Sequence, residues 1–173
     1  MRIMGVDPGS RTTGYAILDV KKGGKLQVKT FGILKPHAKK SLPERLDTIF
    51  QGLLDILKKY QPMNMAVEEV FFAQNVKSAL ALGQVRGGVL LAGVSNGLPI
   101  YSYSATKIKQ AVSGNGRADK AQVQRMVMKL LSLKIKPDPD AADALAIALC
   151  HASSYRMRNY DRLFSRKNIT KNS

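Results

Sequence analysis

The first third of the chain alternates apolar and polar residues with the short period of β-strands. Residues 2–6 form a brief apolar run that is typical of a buried strand, and Pro8 and Gly9 end it. Proline lacks the N–H that a strand ladder needs, and glycine adopts turn conformations readily. Two further stretches alternate loosely, at residues 12–20 and 26–34. The glycine pair within residues 22–25 predicts a hairpin between them, so an antiparallel three-stranded meander opens the chain.

Beyond this meander, apolar residues recur every three or four positions, which predicts helices. The first helix begins near Ser41, where Ser41 and Glu44 have the spacing of a capping box and Pro43 suits the first turn. Short apolar runs at residues 63–67 and 98–103 predict two more strands. Further helices are predicted at 74–96, 105–112 and 118–133, with a last one starting around Asp138. The pattern is that of an α/β domain.

The helix predicted at residues 74–96 is unusually rich in small residues. They are Ala79, Ala81, Gly83, Gly87, Gly88, Ala92 and Gly93. Because each glycine costs a helix about 1 kcal/mol, four of them call for an explanation. Either the helix lies tightly against its own sheet, or it pairs with its twin in a homodimer.

Length and composition indicate one domain with a substantial core. The chain has 173 residues, 45% of them apolar. Its single cysteine, Cys150, lies in an apolar run and is expected to be a buried, inert thiol. We expect no membrane-spanning stretch, since none reaches ~18 uninterrupted apolar residues. A cytoplasmic location is therefore expected.

Charge changes the picture more than any other property of the composition. Twenty-eight basic and 12 acidic residues give a net charge of +16, which favours a nucleic-acid partner. No acid occurs between Glu69 and Asp119, and residues 21–40 are also free of acids while carrying seven lysines. The basic residues of the first of these segments are candidate DNA contacts: Lys77, Arg86, Lys107, Lys109 and Arg117.

Four of the rare acids occupy suggestive positions. Asp7 and Glu68 each follow an apolar strand, and Asp140 and Asp143 share one face of the last helix. Taken alone, Asp7 could simply turn the chain, and acids in a first helical turn complement the helix dipole. Together they would repel one another unless a divalent cation lay between them. Mg²⁺ prefers such oxygen ligands, and the implied chemistry is metal-dependent phosphodiester hydrolysis.

The motifs around these residues resemble those of the bacterial RuvC Holliday junction resolvases, in order and spacing, over residues 1–155. They are Gly5–Ser10 with Thr13-Gly14-Tyr15, Ala66–Phe71, Gln84–Gly87, Lys107–Lys120 and Asp140–Ala146. The resemblance implies an RNase H-like fold, a mixed five-stranded sheet with three antiparallel and then parallel strands, flanked by helices. Residues 156–173 would be a basic tail with a frayed helix end.

The same resemblance implies an activity, a cofactor and partners. It implies a homodimer that pairs through the 74–96 helix. It implies Mg²⁺-dependent cutting of two symmetric strands of a four-way junction, with Mn²⁺ as a substitute, alongside the RuvA and RuvB branch-migration proteins. By motif position the catalytic, metal-binding acids are Asp7, Glu68, Asp140 and Asp143. Phe71 matches an aromatic residue that packs on an unpaired base, and Lys109 and Lys120 match basic residues near the scissile phosphates.

Two other functions fit part of the pattern. Actin-like ATP-binding proteins also open with a strand, an aspartate and a glycine-rich turn, but they need two such domains. A junction-binding protein without catalysis would explain the charge, although four aligned acids would repel DNA. Mg²⁺-dependent nicking of a synthetic junction separates these cases.

Overall fold

The computed structural model describes residues 1–69 and 76–169, with side chains through residue 155. Phe71 lies outside the described residues. The strands are β1 (Arg2–Asp7), β2 (Thr13–Val20), β3 (Leu26–Leu34), β4 (Asn64–Glu68) and β5 (Ile100–Tyr103). The helices are α1 (Leu42–Tyr60), α2 (Val76–Ser95), α3 (Ala105–Ser113), α4 (Lys120–Leu130) and α5 (Pro139–Ile169).

The five strands form one mixed sheet in the order β3-β2-β1-β4-β5. β1 pairs with β2 and β2 with β3 in antiparallel fashion, whereas β1 with β4 and β4 with β5 are parallel. This confirms the predicted meander and the parallel strands that follow it. β1 lies at the centre, so its residues are covered on both faces, which explains its nearly continuous apolar sequence.

The described residues form a hydrophobic cluster on each face of the sheet. On one face α3, α4 and α5 pack against residues such as Ile3 and Leu18. On the other, α1 and α2 pack against residues such as Met4 and Val67. Cys150 belongs to the first cluster, and burial raises the pKa of its thiol to about 11, as expected of an inert cysteine.

The helix boundaries mostly follow the sequence pattern, and the exception has a local cause. The capping box of α1 is present, with the Ser41 N–H donating to Glu44 Oε2 over 2.8 Å. The predicted 118–133 helix is shorter at both ends. It starts only after Asp119, whose carboxylate accepts a hydrogen bond from the Gln122 N–H at 2.7 Å. It ends at Leu130, and Ser132 then takes a positive φ of 50°.

The four glycines of helix α2 have different surroundings, so close packing on the sheet does not explain all of them. A Cβ on Gly93 would meet the side chains of Ile100 and Met65 at 3.0 Å, so this glycine does allow close packing on the sheet. Gly83, Gly87 and Gly88 would meet nothing within 4 Å. Tight packing within the chain therefore accounts for one glycine of the four.

The exposed side of α2 is also apolar. Among the described residues, α2 is the one helix whose length and composition would allow a membrane crossing, although we expected no such stretch. This property is weak evidence by itself, and it shows mainly that much of the helix surface lacks a partner within one chain.

Helix α5 is the longest helix of the described chain and covers β1 and β2. It continues through Ile169, past the boundary that we placed at residue 155. That domain boundary stays a prediction.

Candidate active site

Three carboxylates meet at the carboxyl end of β1. Asp7 ends the strand, and Asp140 and Asp143 lie in the first turns of α5. One oxygen from each of the three lies within 4.8 Å of the others, and all three residues are half-buried. Oxygen-only donors at this spacing fit a hard divalent cation.

Two glycines allow α5 to bring its acids over β1. Gly14 is the cross-strand partner of Asp7, and a Cβ there would lie 2.0 Å from the carbonyl oxygen of Asp140. A Cβ on Gly5 would lie 2.2 Å from the carbonyl oxygen of Ala144. The missing side chains therefore set how closely the helix approaches the strands. Sequence reasoning assigned no role to these two glycines.

Glu68 approaches the same place from the neighbouring strand. Val67 pairs with Val6 in parallel register, so Glu68 stands beside Asp7 at the sheet edge. Glu68 lines a cavity of about 230 Å³ together with Asp7 and Asp143, although it lies outside the close trio. Strand geometry alone does not choose between Glu68 and Glu69. In the structure Glu68 ends β4 and lines the cavity, whereas Glu69 is not among its lining residues.

Without a cation, the ionised forms of the clustered carboxylates are electrostatically unfavourable. Burial, followed by the charges of Asp143, Glu68 and Asp140, raises the pKa of Asp7 to about 8. Burial and the charge of Asp143 also raise the pKa of Glu68. Both shifts disfavour the ionised forms, and a divalent ion among the carboxylates would reverse them.

Lys120 supplies a positive charge at this site. Its Nζ lies 2.9 Å from Asp143 Oδ2, and this hydrogen bond raises the pKa of Lys120. The lysine side chain is nevertheless 72% exposed, against 23% for that of Asp143. Lys109 lines the same cavity. The two lysines are thus positioned to meet an anion that approaches the acids.

The other predicted DNA contacts are not gathered at the cavity. Arg86 donates to the Glu68 carbonyl at 3.4 Å and to Ser102 Oγ at 3.0 Å, which links the ends of β4 and β5. The Lys107 ammonium lies 5.2 Å from the centre of the Tyr103 ring. Lys77 and Arg117 are exposed.

Comparison with known proteins points to one family. A family model described as crossover junction endodeoxyribonuclease RuvC matches residues 3–151. The protein of that name from Geobacter sp. (strain M21) is 50% identical over 157 residues, covering 91% of this chain and 95% of the relative. Its counterpart from Citrifermentans bemidjiense is 51% identical over 154 residues, covering 89% of this chain and 93% of the relative.

Solved structures agree. Thermus thermophilus RuvC in complex with Holliday junction substrate matches with a TM-score of 0.85 and 37% identity, covering 91% of this chain and 96% of that chain. The yeast mitochondrial Holliday junction resolvase Ydc2 matches with a TM-score of 0.71 at 15% identity, which shows the fold alone. With the family model spanning nearly all of the sheet and its helices, the chain belongs to the RuvC family of crossover junction endodeoxyribonucleases.

Proposed function

We propose that this protein is a structure-selective endonuclease that resolves Holliday junctions in DNA recombination and repair, by symmetric, divalent-metal-dependent hydrolysis of phosphodiester bonds. Family membership and the junction-bound relative support the substrate. The observation that carries the chemistry is the approach of carboxylate oxygens from Asp7, Asp140 and Asp143 to within 4.8 Å of one another. A protein that only bound junctions would gain nothing from this repulsive cluster.

Asp7, Asp140 and Asp143 would hold the metal, with Glu68 contributing from the neighbouring strand. Mg²⁺ is the proposed ion and Mn²⁺ the substitute, because both suit carboxylate oxygens. When bound, such an ion lowers the pKa of a coordinated water and stabilises the leaving oxygen. The buried ends of β1 and β4 fix Asp7 and Glu68, so the acids need little reorganisation to bind it.

The basic residues would hold the DNA over these acids. Lys109 and Lys120 line the cavity and would contact the phosphate that is cut and its neighbours. Lys77, Arg86, Lys107 and Arg117 are proposed as backbone contacts further out, with Arg86 also fixing the strand ends. Phe71 is proposed, from its motif position alone, to pack on an unpaired base.

A homodimer would present two such sites to the two symmetric strands. Five of the exposed residues of α2 recur at spacings of four and three, which is the spacing along the seam of paired helices. They are Leu80, Gln84, Gly87, Leu91 and Val94. Gly87 would let the two helices approach closely. RuvA and RuvB are proposed as functional partners, and the cytoplasm, where bacterial DNA lies, as the location.

The proposal is tested by cutting a synthetic four-way junction with and without Mg²⁺. Asp7→Asn should keep junction binding but lower the cleavage rate by at least a hundredfold, since it removes a ligand charge at the centre of the site. Asp55→Asn, an exposed acid of α1, is the matched control and should cut normally. If Asp7→Asn cuts at the control rate, the proposed site is wrong.

A further inference from the structure

A second concave surface lies at the end of β3, away from the acids. The described residues that line it include Arg11, Lys35, His37 and Arg45, and they contain neither a carboxylate nor a six-membered aromatic ring. Its volume is about 710 Å³, larger than that of the acidic cavity. We call this surface the β3 cleft. It includes part of the acid-free stretch at residues 21–40, which the proposed active site does not use.

Hydrogen bonds hold the walls of the β3 cleft in place. Arg45, on α1, donates to the carbonyl of Ser10 and so ties the helix to the loop that carries Arg11. Thr13 Oγ1 donates to the Gly9 carbonyl at 2.9 Å and closes the same loop. The Lys39 N–H donates to His37 Nδ1 at 3.3 Å, which leaves Nε2 as the donor of a neutral ring. Arg11 and Lys35 remain exposed on this framework.

The β3 cleft and the acids lie at the same edge of the sheet. Leu34 pairs with Thr13, and the next residue of β2, Gly14, pairs with Asp7. Because adjacent strands lie ~4.8 Å apart, the ends of β3 and β1 are separated by roughly 10 Å. One DNA strand carries a phosphate about every 3.4 Å along the duplex axis, so a backbone that reached the acids would pass the β3 cleft within a few phosphates. Lys109 and Lys120 accompany the acids on α3 and α4.

We propose that the β3 cleft binds the phosphodiester backbone of a duplex arm of the junction, a few phosphates from the bond that is cut. This inference rests on the proposed function. A lining that carries several cations and no carboxylate suits a phosphodiester backbone, and the imidazole of His37 is the one ring among the described lining residues on which a base could stack. Lysine and arginine side chains that contact phosphates a few positions from the cut bond add affinity, but they do not distinguish one DNA sequence from another.

The test compares two variants of equal net charge in junction binding without divalent metal. Arg11→Gln/Lys35→Gln removes two cations of the β3 cleft. Lys22→Gln/Lys25→Gln removes two exposed cations from the hairpin at the opposite end of β2 and β3. The cleft variant should raise the Kd by roughly 3- to 30-fold, at up to ~1 kcal/mol per exposed contact, and lower the salt slope by about 2. The hairpin variant should bind like the wild type.

Equal affinities and equal salt slopes for the two variants would overturn the assignment, because charge alone and not its position would then matter. Thermal unfolding checks that both variants fold, and the single pair Lys35→Gln and Lys25→Gln repeats the comparison if one double variant does not. Wild-type cleavage in Mg²⁺ is measured in parallel. If the wild type does not cut in Mg²⁺, the proposed function is wrong. If the wild type cuts normally but the two double variants bind the junction with equal affinity and equal salt slope, only the assignment of the β3 cleft is wrong.

Discussion

The carboxyl group of Asp7 is half-buried among other acids, so that proton binding and metal binding compete there. With its pKa raised to about 8, Asp7 is largely protonated at neutral pH when no cation is present. Metal binding must then release a proton. We expect the Kd for Mg²⁺ to fall by up to tenfold per pH unit from about pH 6 to 8 and to level off above that range. Calorimetry in buffers of different ionisation enthalpy measures both the number of protons released and the Kd for Mg²⁺. An affinity for Mg²⁺ that does not depend on pH would contradict the prediction.

Asp7→Asn provides the control for this prediction, since it removes the titrating group.

The raised pKa of Asp7 also predicts how the stability of the metal-free protein depends on pH. An acid whose pKa is higher in the folded state binds more protons folded than unfolded, so stability falls as pH rises from about 4 to 8. This fall should be smaller in Asp7→Asn. Thermal midpoints of the two proteins across that range show whether Asp7 is the group responsible.

Lys120 neutralises Asp143 in the structure, so it competes with any cation for the same carboxylates. Replacing it with methionine should therefore tighten Mg²⁺ binding by about two- to fivefold, the range for a partly exposed ion pair. Cleavage should nevertheless fall, because a cation facing the substrate phosphate is lost. Lys129→Met, on the same helix but outside the cavity, serves as the control. Weaker metal binding by Lys120→Met would show that the lysine supports the site in some other way.

At the scale of elements, the contact between α5 and the β1–β2 pair decides whether the acids meet. Gly14→Ala would place a methyl group 2.0 Å from the Asp140 carbonyl oxygen, and α5 would have to move. We expect a loss of about 1–3 kcal/mol in the free energy of unfolding, together with loss of metal binding. Chemical denaturation and calorimetry measure the two effects.

Gly88→Ala is the matched control for that substitution, because a Cβ there meets nothing within 4 Å. The control should be tolerated or slightly stabilising, since alanine is the better helix former. If Gly14→Ala behaved like Gly88→Ala, the close approach of α5 would not be what sets the geometry of the acids.

For the whole molecule, the unpartnered surface of α2 predicts self-association. Leu80, Leu91 and Val94 are 61%, 57% and 63% exposed in the single chain. We expect sedimentation at micromolar concentration to give about twice the 19.0 kDa chain mass. Leu91→Glu should shift the protein to monomers, because it places a charge in the seam.

Ile135→Glu is the control for the dimer prediction, as this residue is 75% exposed but lies between α4 and α5, outside the seam. It should leave the mass unchanged. A wild-type protein that sediments as a monomer would refute the dimer, and would leave the small residue at Gly87 without an explanation.

The sequence alone determined the order and type of the elements, because strand alternation, helical periodicity and capping are set by residues close together in the chain. It also singled out the four acids, because the chain has few carboxylates and these either follow apolar strands, as Asp7 and Glu68 do, or share one face of the last helix, as Asp140 and Asp143 do. The end of α4 at Leu130 was missed, because the backbone turn at Ser132 leaves no periodic signal.

The tertiary structure decided everything that depends on residues far apart in sequence. Only the parallel register of β1 and β4 sets Glu68 beside Asp7. Only the packing of α5 against Gly5 and Gly14 brings Asp140 and Asp143 to Asp7. The β3 cleft likewise joins Arg11, Lys35 and Arg45 across three segments. Local patterns fix what each segment becomes, whereas strand order and close backbone contact fix which side chains meet.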